Sequence, residues 1–416
     1  MIAGVLQPHR ARFMQAADGL AIALAASMPW STSATGILAG LWLLAFLPTV
    51  DLGALRRDLA TPAAAVVLVL VALAALGILW SEATWARAFQ GFSPFLKLLV
   101  IPLLMIHFRE SERGLLVFKA FLISCAALLA VSFLIYFWQR PFGWRLNTHG
   151  IPVKDRIVQS GEFALCAFGT LYLALGYYRE GRWKPALALA ALAGAFLINI
   201  AFIAASRTSL VVIPVLVLLW GYRRFGWKGA AAFVLVGGML GAALWFSSSH
   251  LRQRVTGITQ EIQDYRTSNE PTSSGLRIEY WTKALGFIQQ APLVGHGTGT
   301  VRQLYEQASA TQSSEWQTAN PHNQTLAVGI QLGIVGILAL WAFWFTHFLL
   351  FVRQTGLVAW IGSMVVVQNI VGSLFNSHLF DFTQGWIYFV GVGVAGGMIL
   401  RGQPKAGMKT AEKAHS

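Results

Sequence analysis

Long apolar runs alternate with short polar or basic segments along most of the chain. An apolar run of about 20 residues is long enough to cross the hydrocarbon core of a bilayer as a helix. The pattern predicts about twelve such spans, several of them short. They cover residues 19–35, 36–50, 62–80, 91–107, 115–137, 158–178, 185–205, 208–221, 229–247, 324–350, 356–375 and 386–400. The predicted fold is therefore an all-α polytopic membrane protein.

Composition agrees with this fold class. Of the 416 residues, 56% are hydrophobic and only 12% are charged. Cys125 and Cys166 lie within apolar runs, so they indicate neither a disulfide nor a zinc site. The first eighteen residues are polar and basic and no small-residue cleavage site follows, so we expect the first helix to insert without cleavage. The net charge of +14 would suggest nucleic-acid binding in a soluble protein, but here membrane topology explains much of it.

Basic residues fall in every alternate loop if the N-terminus is cytoplasmic, as the positive-inside rule requires. These residues are Arg56, Arg57, Arg109, Arg113, Arg179, Arg182, Lys184, Arg223, Arg224, Lys228, Arg353, Arg401, Lys405, Lys409 and Lys413. We therefore expect both termini in the cytoplasm. The predicted organisation is nine helices with short loops over 1–246, a long outer loop over 247–323, three helices over 324–400 and a basic cytoplasmic tail over 401–416.

The long outer loop has a helical pattern of its own. Leu276, Tyr280, Leu285 and Ile288 recur at near-helical spacing, which predicts an amphipathic helix lying on the membrane surface.

Two outer-face arginines require an explanation beyond membrane orientation. Arg207 lies in a break of only a few residues between two apolar runs, where an unpaired charge costs several kcal/mol. Arg277 follows Ser273, Ser274 and Gly275, a turn or cap sequence at a helix start. Snorkelling to headgroups would explain the first, and pairing with Glu279 or a lipid phosphate the second. An alternative for both is binding of a pyrophosphate on a lipid carrier, because guanidinium groups bind phosphate oxygens bidentately and stay charged.

Histidines on the same face supply a candidate base. His322 in NPHNQTL, His296 in PLVGHGTGT and His378 in NSHLFD are the outer-face candidates, because imidazole titrates near neutrality. No HxxxH or HExxH spacing favours zinc, and no DxD or ExD pair in the first outer loops favours another divalent ion. We therefore expect no metal and no cofactor. The glycines of GHGTGT predict a tight turn packed beneath the site.

Three ordered motifs resemble the O-antigen ligase and polymerase superfamily. They are SRTSL at 206–210, the R-x3-W-x2-A element that ends in P-x2-G-x-G within 275–300, and the HN-x2-L element that leads into a glycine-rich span over 321–338. The resemblance implies an O-antigen ligase of the bacterial inner membrane with a periplasmic active site. Such an enzyme transfers a glycan from undecaprenyl diphosphate to a sugar of the lipid A core, with inversion and without metal.

The resemblance also implies roles for individual residues. Arg207 and Arg277 would bind the diphosphate, and His322 would deprotonate the acceptor hydroxyl. Charge and placement add further substrate-binding candidates, namely Arg87, Lys97, Arg145 and Arg156, and Asn323 and Trp281 complete the set. The expected partners are the lipid-linked donor, the lipid A-core acceptor and membrane lipids, and no nucleic acid.

Three other functions remain open at the level of sequence. A polymerase of the same superfamily would use similar residues to extend the glycan on its carrier. A protein O-glycosylating relative would usually carry extra C-terminal material. A transporter would use intramembrane ionisable residues such as Lys97 and tends to show repeats, whereas the reactive residues here lie on one face.

Overall fold

The computed structural model describes residues 2–138, 150–247, 249–268, 272–309, 318 and 320–402. Sixteen α-helices and no strand occur in these ranges, which confirms the all-α fold class. The helices are α1 Ile2–Ser27, α2 Thr32–Phe46, α3 Leu52–Leu59, α4 Pro62–Leu76, α5 Trp85–Leu96, α6 Val100–Glu110, α7 Gly114–Phe137, α8 Arg156–Arg179, α9 Trp183–Phe202, α10 Arg207–Ser247, α11 Ser249–Ser268, α12 Ser273–Gln290, α13 Val301–Ala308, α14 Gln324–Val352, α15 Leu357–Ser373 and α16 Phe382–Arg401.

Every predicted span falls on a helix, but fewer than twelve meet the requirements for crossing a membrane. Within the described ranges, 8 helices are long and apolar enough, or up to 9 if the α3–α4 pair, bent by 83°, forms one span. The other predicted spans lie on α1, on α10 after its kink at Gly226, and on α15, which has 17 residues. The predicted first span is wrong in its bounds, because α1 ends at Ser27 and Ser31 caps a new helix by accepting the Ala34 N–H. All but the first two residues of the predicted basic tail lie outside the described residues.

Helix α14 is broken at Gly333, within a run that the hydrophobic pattern presents as continuous. Gly333 has φ 60° and ψ −155°, so the helical hydrogen-bond ladder is interrupted there. The segment before His296 supplies replacement partners. The Ile334 N–H donates to Pro292 O at 2.8 Å, and the His296 N–H donates to Ile330 O at 3.0 Å. Residues 292–296 therefore supply hydrogen-bond partners for the backbone at the break, as an interrupted helix in an apolar environment requires.

The predicted tight turn at GHGTGT is present and contacts a second helix end. Gly295, Gly297 and Gly299 all have positive φ. The Thr298 N–H donates to Gly77 O at 3.0 Å, and the Thr298 hydroxyl donates to Ala74 O at 2.6 Å, so the turn also closes the end of α4. The turn thus joins the chain after α12 to both α4 and α14.

The segment between α10 and α14 contains α11, α12 and α13. Helix α12 packs on the first part of α14. Tyr280, Ala284 and Phe287 are buried with Tyr305 of α13 and Ile330 of α14. Of the predicted apolar face, Tyr280 is buried and Leu276 and Ile288 pack against the same cluster, whereas Leu285 is 53% exposed. Phe287 takes the inward position because it lies one helical turn beyond Ala284, on the same face as Tyr280.

The break in α14 gives a test of stability. Gly333→Ala should lower the free energy of unfolding by about 1–3 kcal/mol, because an L-residue is strained at this φ and ψ. An added Cβ would also lie 2.3 Å from Leu293 O. Thermal denaturation of the detergent-solubilised protein measures the change. Gly194→Ala is the matched control, since no atom lies within 4 Å of its Cβ position. Equal stability of the two variants would contradict the assigned role of Gly333.

Candidate functional site

Arg207 is the first residue of α10, directly after the cap formed by Ser206. Its guanidinium donates to the Ser274 hydroxyl at 2.9 Å and forms an ion pair with Glu261. The Ser274 N–H, in the first turn of α12, donates to the other oxygen of Glu261 at 3.0 Å. Burial alone would raise the pKa of Glu261, but these hydrogen bonds outweigh it and hold that pKa below its ordinary value. A helix start and a guanidinium thus already bind one anion, the Glu261 carboxylate.

Arg277 lies one turn further along α12 and is partly buried. It makes no hydrogen bond or ion pair with any residue in the described ranges; Glu279, the sequence-level alternative partner, instead pairs with Lys283 at 3.1 Å. Burial lowers the pKa of Arg277, the charge of Arg207 lowers it further, and Glu261 acts in the opposite direction. Arg277 is therefore a second cation in the field of Arg207, with no counter-ion of its own in the described part of the chain.

His322 lies two residues before α14 and has a positive φ of 52°. Its backbone N–H donates to Asn320 Oδ1 at 2.9 Å, and the same oxygen accepts from the Ser377 hydroxyl at 2.6 Å. These bonds hold the turn in the left-handed region that residues other than glycine seldom adopt. The imidazole stacks on Tyr280, with ring centroids 6.0 Å apart and an interplanar angle of 28°.

Asn376 determines which nitrogen of His322 is available for chemistry. His322 Nδ1 lies 2.9 Å from Asn376 Oδ1, and Asn376 Nδ2 donates to Asp381 Oδ2 at 2.8 Å. Because the amide nitrogen of Asn376 is directed at Asp381, its oxygen faces the imidazole and accepts a hydrogen bond from the Nδ1–H. The lone pair of His322 therefore lies on Nε2, as a general base requires.

The protonation state of His322 also suits a base. Burial lowers its pKa, and the nearby charge of Arg277 lowers it further, while the hydrogen bond to Asn376 acts in the opposite direction. The pKa is thus below its ordinary value, and the imidazole is neutral at pH 7. Burial raises the pKa of Asp381 to about 7, and the charge of Asp155 adds to that rise.

A cavity of about 10 Å³, enough for one water molecule, lies next to Arg207. His378 lines it together with Ser160, Thr208, Ser209, Gln368 and Gln384. His378 is 3% exposed, and burial lowers its pKa to about 4. Neither ring nitrogen of His378 has a hydrogen-bond partner among the described residues. The same is true of Gln384 Nε2. His378 is therefore a neutral, buried imidazole whose hydrogen-bonding capacity is unused by the described part of the chain.

The third histidine candidate is structural. His296 Nδ1 lies 3.0 Å from Glu82 Oε1, and its Nε2 lies 2.9 Å from the Phe287 carbonyl oxygen. Both ring nitrogens are used within the turn that joins α4 to α14, so His296 is bound in place away from Arg207 and Arg277.

Two predicted substrate-binding cations lie apart from this group. Arg87, on α5, forms a 2.9 Å ion pair with Glu306 of α13. The Lys97 Nζ lies 5.7 Å from the centroid of the Phe382 ring, at the start of α16. Neither contacts Arg207, Arg277 or His322. The predicted residues therefore include a central group, formed by Arg207, Arg277 and His322, and a second group near α5, formed by Arg87 and Lys97.

The remaining predicted residues have varied surroundings. Arg156 is exposed as the first residue of α8. Asn323 caps α14 by accepting the Leu326 N–H, and its Nδ2 donates to Leu374 O at 3.1 Å. Trp281 Nε1 is buried without a hydrogen-bond partner among the described residues. Arg145 lies outside the described residues.

Glu261, Asn376 and Asp381 were missed by sequence reasoning, although all three contact the central group directly or through one bond. Asn376 and Asp381 flank His378 in NSHLFD, so the polar character of that motif was their one signal. Within the described ranges, no group of three or more His, Cys, Asp and Glu side chains is arranged to hold a metal ion.

Comparison with known proteins places the central residues in one family domain. Residues 191–341 match the family model described as O-antigen ligase, which confirms the resemblance drawn from the motifs. This range contains Arg207, Arg277 and His322. An uncharacterized protein of Haemophilus influenzae is 24% identical over 308 residues, which cover 70% of this chain and 73% of that protein.

The pKa of His322 can be tested without any assay of activity. Diethyl pyrocarbonate acylates neutral imidazole, so its reaction with His322 should have a midpoint below the ordinary value of about 6.5. Arg277→Gln should raise that midpoint, because it removes a cation that disfavours imidazolium. Mass spectrometry of the proteolytic peptide that contains His322 gives the extent of reaction at each pH.

Lys283→Gln is the control for this experiment, since it removes a cation of the same helix that pairs with Glu279. It should leave the midpoint in place. A wild-type midpoint at or above the ordinary value, or an unchanged midpoint in Arg277→Gln, would contradict the assigned electrostatics.

Proposed function

We propose that this chain, whose residues 191–341 match the O-antigen ligase family, transfers O-antigen polysaccharide from undecaprenyl diphosphate to a sugar of the lipid A core. The reaction would take place at the periplasmic face of the bacterial inner membrane, with inversion and without metal or cofactor. The observation that carries the proposal is the juxtaposition of Arg277, a partly buried cation lacking a counter-ion among the described residues, with Arg207 and a neutral His322.

The two arginines account for binding and departure of the diphosphate. Arg207 already binds the Glu261 carboxylate at the start of α12, and a diphosphate would displace that carboxylate. The incoming group would also satisfy Arg277 and relieve its repulsion with Arg207. Two guanidinium groups aimed at the leaving group stabilise the charge that develops on it as the bond to the sugar breaks.

His322 accounts for activation of the acceptor. Its Nε2 would accept the proton of the acceptor hydroxyl as that oxygen attacks the anomeric carbon of the donor. The bond from this carbon to the phosphate oxygen breaks, and the diphosphate departs with the electron pair. Asn376, by accepting a hydrogen bond from the Nδ1–H, would hold the imidazole in the tautomer that the step needs. Attack opposite the departing diphosphate inverts the anomeric centre.

The other predicted residues are assigned to substrate binding. Arg156, Lys97, Asn323 and Trp281 remain predicted contacts of donor or acceptor, as do Arg145 and Arg87.

A reconstituted transfer assay tests the proposal. Purified protein in liposomes that contain lipid-linked O-antigen and lipid A core should form glycan-bearing lipopolysaccharide in the presence of EDTA. His322→Asn should reduce turnover by about 10²- to 10⁴-fold, because it removes a general base. Asparagine tolerates the positive φ of this position, so the variant should fold and still bind donor.

Three results would contradict the proposal in different ways. Loss of transfer on chelation would show that a metal is needed. Extension of the carrier-linked glycan without transfer to the core would identify a polymerase of the same superfamily. Near-normal turnover of His322→Asn would remove His322 as the base.

The arginines provide a separate test of geometry. Arg207→Lys and Arg277→Lys should each reduce kcat by about 10²-fold, because an ammonium retains the charge but lacks the planar pair of donors. Arg182→Lys is the control, since Arg182 is exposed and pairs with Glu180 in the loop between α8 and α9. Near-complete activity in both site variants would show that charge alone is sufficient.

A further inference from the structure

A second cavity, of about 300 Å³, lies beside the segment that carries His322. Asn320 and Pro321, the two residues before His322, line one wall, and Arg87 and Gln90 of α5 line another. Arg207, Arg277 and His322 are absent from its described lining, so it is distinct from the diphosphate site. Its volume is at the lower end of the range of about 300–1,000 Å³ for small-molecule pockets.

The cavity carries an excess of positive charge. Arg87 and Arg302 line it and share one carboxylate, because Glu306 pairs with Arg87 at 2.9 Å and with Arg302 at 2.8 Å. Hydrogen bonds from Arg302 and Arg87 lower the pKa of Glu306, so that group is ionised. Two guanidinium groups and one carboxylate leave a net charge of +1, and no Asp or Glu occurs in the described lining. The cavity therefore favours an anionic ligand.

The remaining lining suits a carbohydrate. The Gln90 side chain makes no hydrogen bond within the described residues, and Ser377 adds a hydroxyl. Pro94, Val301 and Phe380 give an apolar wall. Amide and hydroxyl groups opposite an apolar wall match a sugar ring, which has hydroxyls on its edge and C–H groups on its faces.

We propose that this cavity binds a phosphorylated sugar of the acceptor, with Arg87 and Arg302 as the phosphate ligands. The inference rests on the proposed function, which requires two sugar substrates at His322. In an inverting displacement the nucleophile approaches opposite the leaving group, so donor and acceptor need separate sites with the base between them. The diphosphate site at Arg207 and Arg277 and the cavity beside Asn320 and Pro321 meet that requirement.

Ligand binding by itself is the first test. Saturation-transfer NMR with the solubilised full chain should show binding of glucose 6-phosphate and much weaker binding of glucose. Arg87→Gln and Arg302→Gln should each weaken binding of glucose 6-phosphate by about tenfold, the usual order for loss of a charge-assisted hydrogen bond. Arg10→Gln is the control, because Arg10 is similarly exposed and paired with a carboxylate, that of Glu110.

Glu306→Gln separates an electrostatic role from a structural one. It frees both guanidinium groups, so it should strengthen binding of glucose 6-phosphate about two- to threefold, which is the opposite direction to the arginine variants. If all three variants weaken binding equally, the cluster only holds α13 against α5 and the proposal is wrong. Equal binding of glucose and glucose 6-phosphate would also overturn it.

Kinetics form the second test. Arg87→Gln and Arg302→Gln should raise KM for the lipid A-core acceptor about tenfold and leave KM for the donor unchanged. Phosphatase treatment of the acceptor should abolish the difference between these variants and the wild type. A rise in donor KM instead would place the cavity on the donor side and overturn the assignment.

The two tests distinguish failure of this inference from failure of the proposed function. If the wild type binds glucose 6-phosphate through Arg87 and Arg302 but forms no lipopolysaccharide, the proposed function is wrong and the anion site stands. If transfer proceeds but neither arginine affects binding or acceptor KM, the function stands and this inference is wrong. Absence of both binding and transfer would overturn both.

Discussion

The break in α14 at Gly333 is the constraint on which the rest of the site depends. A helix interrupted at membrane depth exposes backbone donors and acceptors that water cannot satisfy, so other protein groups must do so. Residues 292–297 supply these groups, through bonds such as Ile334 N–H to Pro292 O and His296 N–H to Ile330 O. This requirement fixes the end of α12 against the middle of α14. Because α12 is rigid, its opposite end, with Arg277, is fixed near the turn that carries His322.

The charges of the site are coupled, and the coupling favours the proposed reaction. With the diphosphate absent, burial lowers the pKa of His322 and the charge of Arg277 lowers it further, so the imidazole is unprotonated. A bound diphosphate would offset the charge of Arg277 and remove part of this effect. His322 would then be a stronger base while the donor is present, and departure of the diphosphate would favour release of the proton. In the proposed reaction, Arg277 would thus act on the leaving group directly and on the base through its electrostatic field.

The sequence predicted the helices well because long apolar runs favour membrane-spanning helices. It made Arg207, Arg277 and His322 candidates because charged and titratable side chains are unusual beside such runs. It did not predict the break at Gly333, since a glycine within an apolar run has the same pattern whether the helix continues or stops. The histidines illustrate the same limit. His296 and His322 are equivalent as chemical candidates, but the first uses both ring nitrogens in a turn, whereas Nε2 of the second has no partner among the described residues. Asn376 contacts His322 across 54 residues, and no local pattern specifies that pairing.

The placement of the three central residues supports the binding of a multiply charged anion that the proposed function requires. Arg207 is the first residue of α10, Arg277 lies near the start of α12, and His322 lies two residues before α14. Helix starts carry partial positive charge, so these elements add to the two guanidinium groups. Glu261 contributes one negative charge against two positive ones, which leaves Arg277 uncompensated among the described residues. A single carboxylate therefore cannot neutralise both arginines, whereas a diphosphate would carry enough charge to pair with both. In the proposed reaction the diphosphate gains negative charge as it departs, so its stabilisation by the arginines would increase.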